Sequence, residues 1–68
     1  MNAEIKVNGK LVGIPVRCTV GQFIERNGWK PTQVVVELNG QVVPRGRVGE
    51  VQLVPGDCLE VIVPVAGG

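Results

Sequence analysis

The sequence predicts a small α+β domain in which one helix packs across one face of a mixed sheet of four to five strands. The chain has 68 residues, of which 44% are hydrophobic but only 3% aromatic. Its core must therefore be built mainly from valine with some isoleucine and leucine, a mixture typical of strands. Two of the chain's three Asn-Gly pairs lie between apolar segments that alternate or are strand-like, and Asn-Gly is the strongest short signal for a β-hairpin. Only one segment carries helix start and stop signals.

The first hairpin is predicted around Asn8 and Gly9. Polar and apolar residues alternate over 4–8, and the alternation resumes over 11–17. Because Pro15 has no amide hydrogen to donate, we expect the second strand at an edge of the sheet. That strand is expected to place three apolar residues on one face: Val12, Ile14 and Val16.

The helix is predicted over residues 20–27. Thr19 and Gln22 match a capping box, in which each side chain bonds the backbone amide of the other residue. Gly28 is well placed as the left-handed residue after the helix, and Pro31 prevents its continuation. The helical spacing produces one apolar stripe: Val20, Phe23 and Ile24.

A second hairpin is predicted in the middle of the chain. An apolar strand over 34–38 is followed by Asn39 and Gly40, and then by a shorter strand over 41–43. Pro44 ends that short strand, since proline cannot donate to a ladder.

The segment after the second hairpin leads to the last strand. Residues 45–49 contain two glycines and two arginines and predict a loop or a single helical turn. Pro55 and Gly56 occupy the central positions that a type II turn requires. The last strand is then predicted over 58–63, ended by Pro64.

The predicted element order is β-β-α-β-β-β. A lone helix can bury its stripe only by packing across one face of the sheet, which is the β-grasp, or ubiquitin-like, arrangement. In that fold the first and last strands lie parallel at the sheet centre. We therefore expect a β-grasp domain over residues 1–63 and a flexible C-terminal diglycine tail over residues 64–68.

Charge and residue types exclude several classes of protein. The net charge is +1 without a long basic run, so no nucleic-acid partner is expected. The chain has no histidine, which is the usual general base and the commonest metal ligand. We therefore expect neither catalytic residues nor a metal site. Cys18 and Cys58 are too few and too far apart for a zinc site of the usual spacing, and reduced thiols are expected.

The hydropathy pattern favours a soluble cytoplasmic protein with no membrane partner. The longest apolar stretch, residues 61–66, contains a proline and is far shorter than the roughly 20 residues of a bilayer span. The first residues lack the basic charge and long apolar segment of a signal peptide.

The tail ends in Gly67 and Gly68, and two readings of it are open. Residues 64–68 would span roughly 17 Å if extended, and no side chain crowds the last carbonyl carbon. Such a tail can be threaded into the catalytic cleft of another protein and modified there. Alternatively, the terminal glycines are an unstructured chain end without chemistry.

Six short segments carry a family resemblance: Val7-Asn8-Gly9, Cys18-Thr19-Val20, Leu38-Asn39-Gly40, Val42-Val43-Pro44-Arg45, Pro55-Gly56-Asp57 and Val65-Ala66-Gly67-Gly68. With them the chain resembles, over its whole length, the sulfur carriers of thiamine biosynthesis, the ThiS family. Phe23 and Ile24 stand where that family usually has leucines, which keeps the buried stripe. The tail is equally similar to that of the small subunit of molybdopterin synthase, MoaD.

The resemblance implies a chemical role for the tail. In these families an ATP-using enzyme joins the C-terminal glycine carboxylate to AMP, and a sulfur donor then displaces AMP to leave a thiocarboxylate. Gly68 would be the modified residue, while Gly67 and Ala66 would be needed for threading into the partner's cleft. The carrier would be a recycled cosubstrate rather than an enzyme, and ATP would be used by the partner rather than bound here as a cofactor.

The resemblance also implies partners. They are an adenylating enzyme of the E1-like, ThiF type, a thiazole synthase of the ThiG type and a sulfur donor protein. We expect a monomer when the carrier is free, with transient complexes. Three other functions stay open: a MoaD-like carrier, a ubiquitin-like modifier joined through Gly68 to lysines of target proteins, and a plain binding module whose tail has no chemistry.

A carrier that visits several partners needs a docking surface, and strand alternation predicts one. If Glu60 faces water, Ile62 lies on the open face of the sheet, and Val35 lies on the same face if Glu37 does. Val35 and Ile62 would then form an exposed apolar spot close to the tail, if their strands are neighbours. Arg45 and Arg47 are expected to supplement it by pairing with acidic groups. Three residues of the last strand are expected to face the helix: Leu59, Val61 and Val63.

Overall fold

The computed structural model describes residues 2–64, which comprise five strands, one α-helix and two 3₁₀ turns. The predicted tail residues Ala66, Gly67 and Gly68 lie outside the described residues. The elements in chain order are β1 (Asn2–Val7), β2 (Lys10–Pro15), α1 (Val20–Arg26), the 3₁₀ turn Pro31–Gln33, β3 (Val35–Leu38), β4 (Gln41–Val43), the 3₁₀ turn Arg45–Arg47 and β5 (Cys58–Ile62).

The five strands form one mixed sheet in the order β2-β1-β5-β3-β4. β1 and β5 are parallel neighbours at its centre, whereas the other three pairs are antiparallel. This confirms the predicted β-grasp fold and the parallel pairing of the first and last strands. β2 lies at the edge, as Pro15 predicts.

Both predicted hairpins have two-residue turns. Asn8 and Gly9 have φ of 50° and 86°, and Asn39 and Gly40 have φ of 52° and 85°. Positive φ at both central residues is the type I′ geometry, whose twist matches that of the flanking strands. Asparagine and glycine are the residues that adopt this geometry at low cost, so these turns fix the register of each hairpin.

The capping box starts the helix as predicted. The Gln22 amide donates to the Thr19 hydroxyl at 3.1 Å, and the Thr19 amide donates to the Gln22 side-chain oxygen at 2.9 Å. The helix ends at Arg26, one residue before the predicted end, and Gly28 follows with φ of 82°. Its stripe is buried as expected: Val20, Phe23 and Ile24.

The helix and the inward-facing strand residues share one core. Its members are Ala3, Ile5, Ile14, Cys18, Val20, Phe23, Ile24, Val34, Val36, Val48, Leu53, Leu59 and Val61. Burial alternates along β5, where Leu59 and Val61 are buried and Glu60 is exposed. The helix therefore covers one face of the sheet and leaves the other face open.

Two predictions from the apolar alternation are wrong. Val16 was expected beside Ile14, but β2 ends at Pro15, and Arg17 turns the chain with φ of 67°. Val63 was expected to face the helix, but β5 ends at Ile62, and Val63 is 52% exposed. In both cases the apolar alternation continues past the last residue that has a strand partner. Beyond that residue, the alternation no longer predicts which side chains are buried.

Candidate functional site: the open sheet face and the end of the last strand

The predicted apolar spot is formed by two directly opposed residues. Val35 on β3 and Ile62 on β5 are partners in the antiparallel ladder. Ile62 is 45% exposed, and Val35 is half-buried beside it. The predicted neighbourhood of these residues is confirmed, while their use as a docking patch stays a prediction. Because the pair is the last one of this ladder, it lies where the chain continues towards the tail.

The same face carries a charged centre. Glu37 and Glu60 are directly opposed in the β3–β5 ladder, next to the Val35–Ile62 pair. Lys6 on β1 is opposite Cys58 at the start of β5. The open face is therefore apolar towards the tail and charged in the middle.

Two further exposed apolar residues lie on this face, away from the Val35–Ile62 pair, and neither was singled out from the sequence. Val42 is 61% exposed and is the β4 partner of Glu37. Leu11 is 68% exposed and is the β2 partner of Lys6. The face on which both residues lie could have been predicted from the sequence. A two-residue Asn-Gly turn fixes which residues of a hairpin oppose each other, and opposed residues lie on the same face of the sheet.

Arg45 and Arg47 lie on a different element from the apolar pair. Both are exposed in the 3₁₀ turn that follows edge strand β4. Arg47 lines a shallow groove at that edge together with Pro44 and Val51. The structure thus brings Val35 and Ile62 together directly, but it places the arginines at the neighbouring edge.

The C-terminal end of β5 is hydrogen-bonded to the side chain of Asn8, a contact that was not predicted from the sequence. The Asn8 carboxamide nitrogen donates to the Val61 carbonyl at 3.3 Å, and the Val61 amide donates to the Asn8 carboxamide oxygen at 2.9 Å. The backbone amide of Asn8 also donates to the Leu59 carbonyl at 3.0 Å.

The second asparagine turn holds the beginning of the same strand. The Cys58 amide donates to the Asn39 carboxamide oxygen at 2.9 Å, and the Asn39 amide donates to the Cys58 carbonyl at 2.7 Å. The Asn39 carboxamide nitrogen donates to the buried Asp57 carboxylate at 3.1 Å. β5 is therefore bonded to one asparagine turn at each end.

The two cysteines differ in environment. Both are free thiols; Cys58 is exposed on the open face and Cys18 is buried. Burial raises the pKa of the Cys18 thiol above its ordinary value, and the positive charge of Arg26 opposes that shift. Among residues 2–64, no three or more His, Cys, Asp or Glu side chains are placed to hold a metal ion.

The helix gives no sign of a membrane span. In the described part of the chain, no helix has both the length and the apolar character needed to cross a bilayer.

One helix across a five-stranded mixed sheet with parallel central strands defines a protein of the β-grasp class. A comparison with family models matches residues 5–68 to the ThiS family, and the chain therefore belongs to that family. It is similar to the crystal structure of the thiamine biosynthesis protein ThiS from Geobacter metallireducens. That similarity has 28% sequence identity and a TM-score of 0.80, and it covers 100% of both chains. No curated protein sequence matches the chain.

Proposed function

We propose that this protein is a sulfur carrier of thiamine biosynthesis and that the Gly68 carboxylate is the group that carries the sulfur. The observation that supports this most strongly is the family match, which extends through the diglycine to Gly68. The similar structure from Geobacter metallireducens is described as a thiamine biosynthesis protein and matches this chain along its whole length.

The chemistry requires activation of the carboxylate, because hydroxide is a poor leaving group. Attack of the Gly68 carboxylate on the α-phosphorus of ATP gives an acyl adenylate and releases pyrophosphate. Hydrosulfide from the sulfur donor then attacks the carbonyl carbon, the bond to AMP breaks, and loss of the proton leaves the thiocarboxylate. If the donor instead presents a persulfide, the product is an acyl disulfide, and a second thiol must reduce its S–S bond to release the thiocarboxylate. Gly67 and Gly68 have no Cβ, so a partner's groups can approach that carbon closely.

The catalytic groups for these steps would come from partners. The chain has no histidine, and it contains 68 residues, too few to enclose a large active site. The proposed partners are an adenylating enzyme of the ThiF type, a sulfur donor protein and a thiazole synthase of the ThiG type. In this scheme ATP binds to the adenylating enzyme, and the carrier is regenerated after each transfer.

The Val35–Ile62 pair is the proposed docking patch for these partners. It lies on the face that the helix leaves uncovered, and Ile62 is only six positions before Gly68. A partner that binds this patch therefore has the beginning of the tail next to its own surface. Arg45 and Arg47 are proposed to contact acidic groups at the neighbouring edge.

The proposal is tested by reconstituting thiazole formation from the purified chain, an adenylating enzyme, ATP, a sulfur donor and a thiazole synthase. We expect thiazole formation with the complete chain and none with a chain that lacks Gly68. A parallel reaction replaces the thiazole synthase by the large subunit of molybdopterin synthase. Product in that reaction alone would assign the carrier to the other pathway, and conjugates to lysines would identify a protein modifier.

A further inference from the structure

The last strand loses its backbone partner on the β1 side before it ends. The parallel ladder pairs Val7 with Leu59, and the Asn8 amide then bonds the Leu59 carbonyl. After Asn8 the chain turns away through Gly9 into β2. The backbone amide and carbonyl of Val61 point to the same side as those of Leu59, but no further β1 backbone reaches them.

The Asn8 carboxamide bonds Val61 in place of the missing β1 peptide group. It offers one donor and one acceptor, and it uses both on Val61, at 3.3 Å and 2.9 Å. Asn8 can do this because its φ of 50° turns the side chain back from the hairpin towards β5. The two residues are 53 positions apart in sequence, so the contact exists only in the folded sheet.

The two sides of β5 therefore end at adjacent residues. On the β1 side the last bond is between Asn8 and Val61, and on the β3 side the last pair is Val35 and Ile62. Val63 lies beyond both and is exposed. β5 is therefore bonded to the sheet as far as Val61 on one side and Ile62 on the other.

We propose that Asn8 is a positioning residue for the C-terminal tail. Its carboxamide holds Val61 in the sheet, so that the tail starts from a fixed point beside the Val35–Ile62 docking patch. Without it, β5 frays from its C-terminal end, and a bound partner receives the tail in fewer productive orientations. This inference rests on the proposed function where it concerns Gly68, and on the structure alone where it concerns Val61.

The chain offers a matched control in Asn39. It occupies the same position of the same turn type, and its carboxamide also bonds β5, but at Cys58, at the opposite end of the strand. Asn8→Gly and Asn39→Gly both delete the carboxamide and keep a turn that tolerates positive φ. Asn8→Asp keeps the acceptor for the Val61 amide and removes the donor to the Val61 carbonyl.

The first measurement is hydrogen exchange of the Val61 amide, together with backbone relaxation at Ile62 and Val63. We expect Asn8→Gly to accelerate exchange at Val61 by roughly tenfold relative to the wild type, because both bonds are lost. Asn39→Gly should leave Val61 nearly unchanged, and Asn8→Asp should lie between. Equal Val61 exchange in Asn8→Gly and the wild type would overturn the proposal, whatever the protein's function.

The second measurement is adenylation of the carrier by its activating enzyme, below the unfolding temperature of each variant. We expect Asn8→Gly to lower kcat several-fold with little change in KM, because docking persists while the tail is misdirected. Asn39→Gly should keep the wild-type kcat. If Asn39→Gly lowers kcat equally, the role of Asn8 is only structural and the positioning claim fails. If the wild type itself is not adenylated, the proposed function fails, and Val61 exchange still decides whether Asn8 anchors the strand.

Discussion

Val35 and Ile62 face each other across β3 and β5 as the last pair of that ladder. They lie on the sheet face that the helix does not cover, and the chain continues from Ile62 towards the diglycine. This places an accessible apolar pair at the start of the tail, where a partner can hold the domain and receive the tail together. The predictions below test this relationship and the fold that produces it.

Substitution of the exposed member of the pair should impair docking without unfolding the domain. For Ile62→Lys we expect KM of the adenylating enzyme for the carrier to rise roughly tenfold or more, because a charge replaces an apolar contact at the interface. The free energy of unfolding should change by less than about 1 kcal/mol, since Ile62 is 45% exposed. Steady-state kinetics and urea unfolding measure the two effects. Leu11→Lys, on the same face at the far edge, is the control, and an equal rise in KM there would contradict a local docking patch.

The helix cap should contribute measurably to stability. Thr19→Ala removes the hydroxyl that accepts from the Gln22 amide, and we expect a loss of about 1 kcal/mol in the free energy of unfolding. Thr32→Ala, at an exposed position of the 3₁₀ turn Pro31–Gln33, should change it by no more than a few tenths of a kcal/mol. Urea unfolding followed by circular dichroism provides both values. Similar losses in the two variants would mean that the capping box does not stabilise the helix.

The core should be sensitive to a cavity on the central strand. Leu59 is 1% exposed, and Leu59→Ala should lower the free energy of unfolding by about 2 to 5 kcal/mol. A domain of this size has only about 3 to 10 kcal/mol in total, so this variant should be near its unfolding threshold at room temperature. Leu11→Ala removes the same atoms from an exposed site and should cost less than about 0.5 kcal/mol. Thermal unfolding distinguishes the two, and a stable Leu59→Ala protein would show that β5 is not central to the core.

The two thiols should differ in reactivity and in pH dependence. Cys58 is exposed and should be alkylated rapidly in the native state, whereas buried Cys18 should react slowly. Because burial raises the pKa of Cys18, less of this thiol is ionised at any given pH, and its alkylation should need a higher pH. Because the thiolate is less favourable in the folded than in the unfolded state, the free energy of unfolding should fall as the pH rises through the raised pKa of Cys18. Mass spectrometry of alkylated peptides measures the rates, and faster labelling of Cys18 would contradict its burial.

The local signals predicted the fold because each depends on residues that are close in sequence. The two Asn-Gly turns and the Thr19–Gln22 capping box act within four residues, and all of them form in the structure. The position of Val35 opposite Ile62 needed one further step, the adjacency of β3 and β5, which the β-grasp order supplied.

The features that were not predicted depend on the residue at which a strand ends, or on contacts between residues that are far apart in the sequence. β2 ends at Pro15 and the chain turns at Val16 and Arg17, where Arg17 has a left-handed φ, so Val16 does not continue the strand; no residue type signals this turn. The bonds of Asn8 to Val61 link positions 53 apart, so they follow only from the strand order. Asparagine in a type I′ turn is explained fully by its φ, and its second role as a partner of β5 therefore has no separate sequence signal.

The central claim is that the Gly68 carbonyl carbon receives the sulfur. The most direct measurement is the intact mass of the chain after incubation with an adenylating enzyme, ATP and a sulfur donor, followed by fragmentation of the product. We predict a mass increase equal to the exchange of one oxygen for one sulfur, located on the fragment that contains Gly68. An unchanged mass, under conditions that convert an established carrier, or sulfur bound at Cys18 or Cys58 instead, would contradict the account.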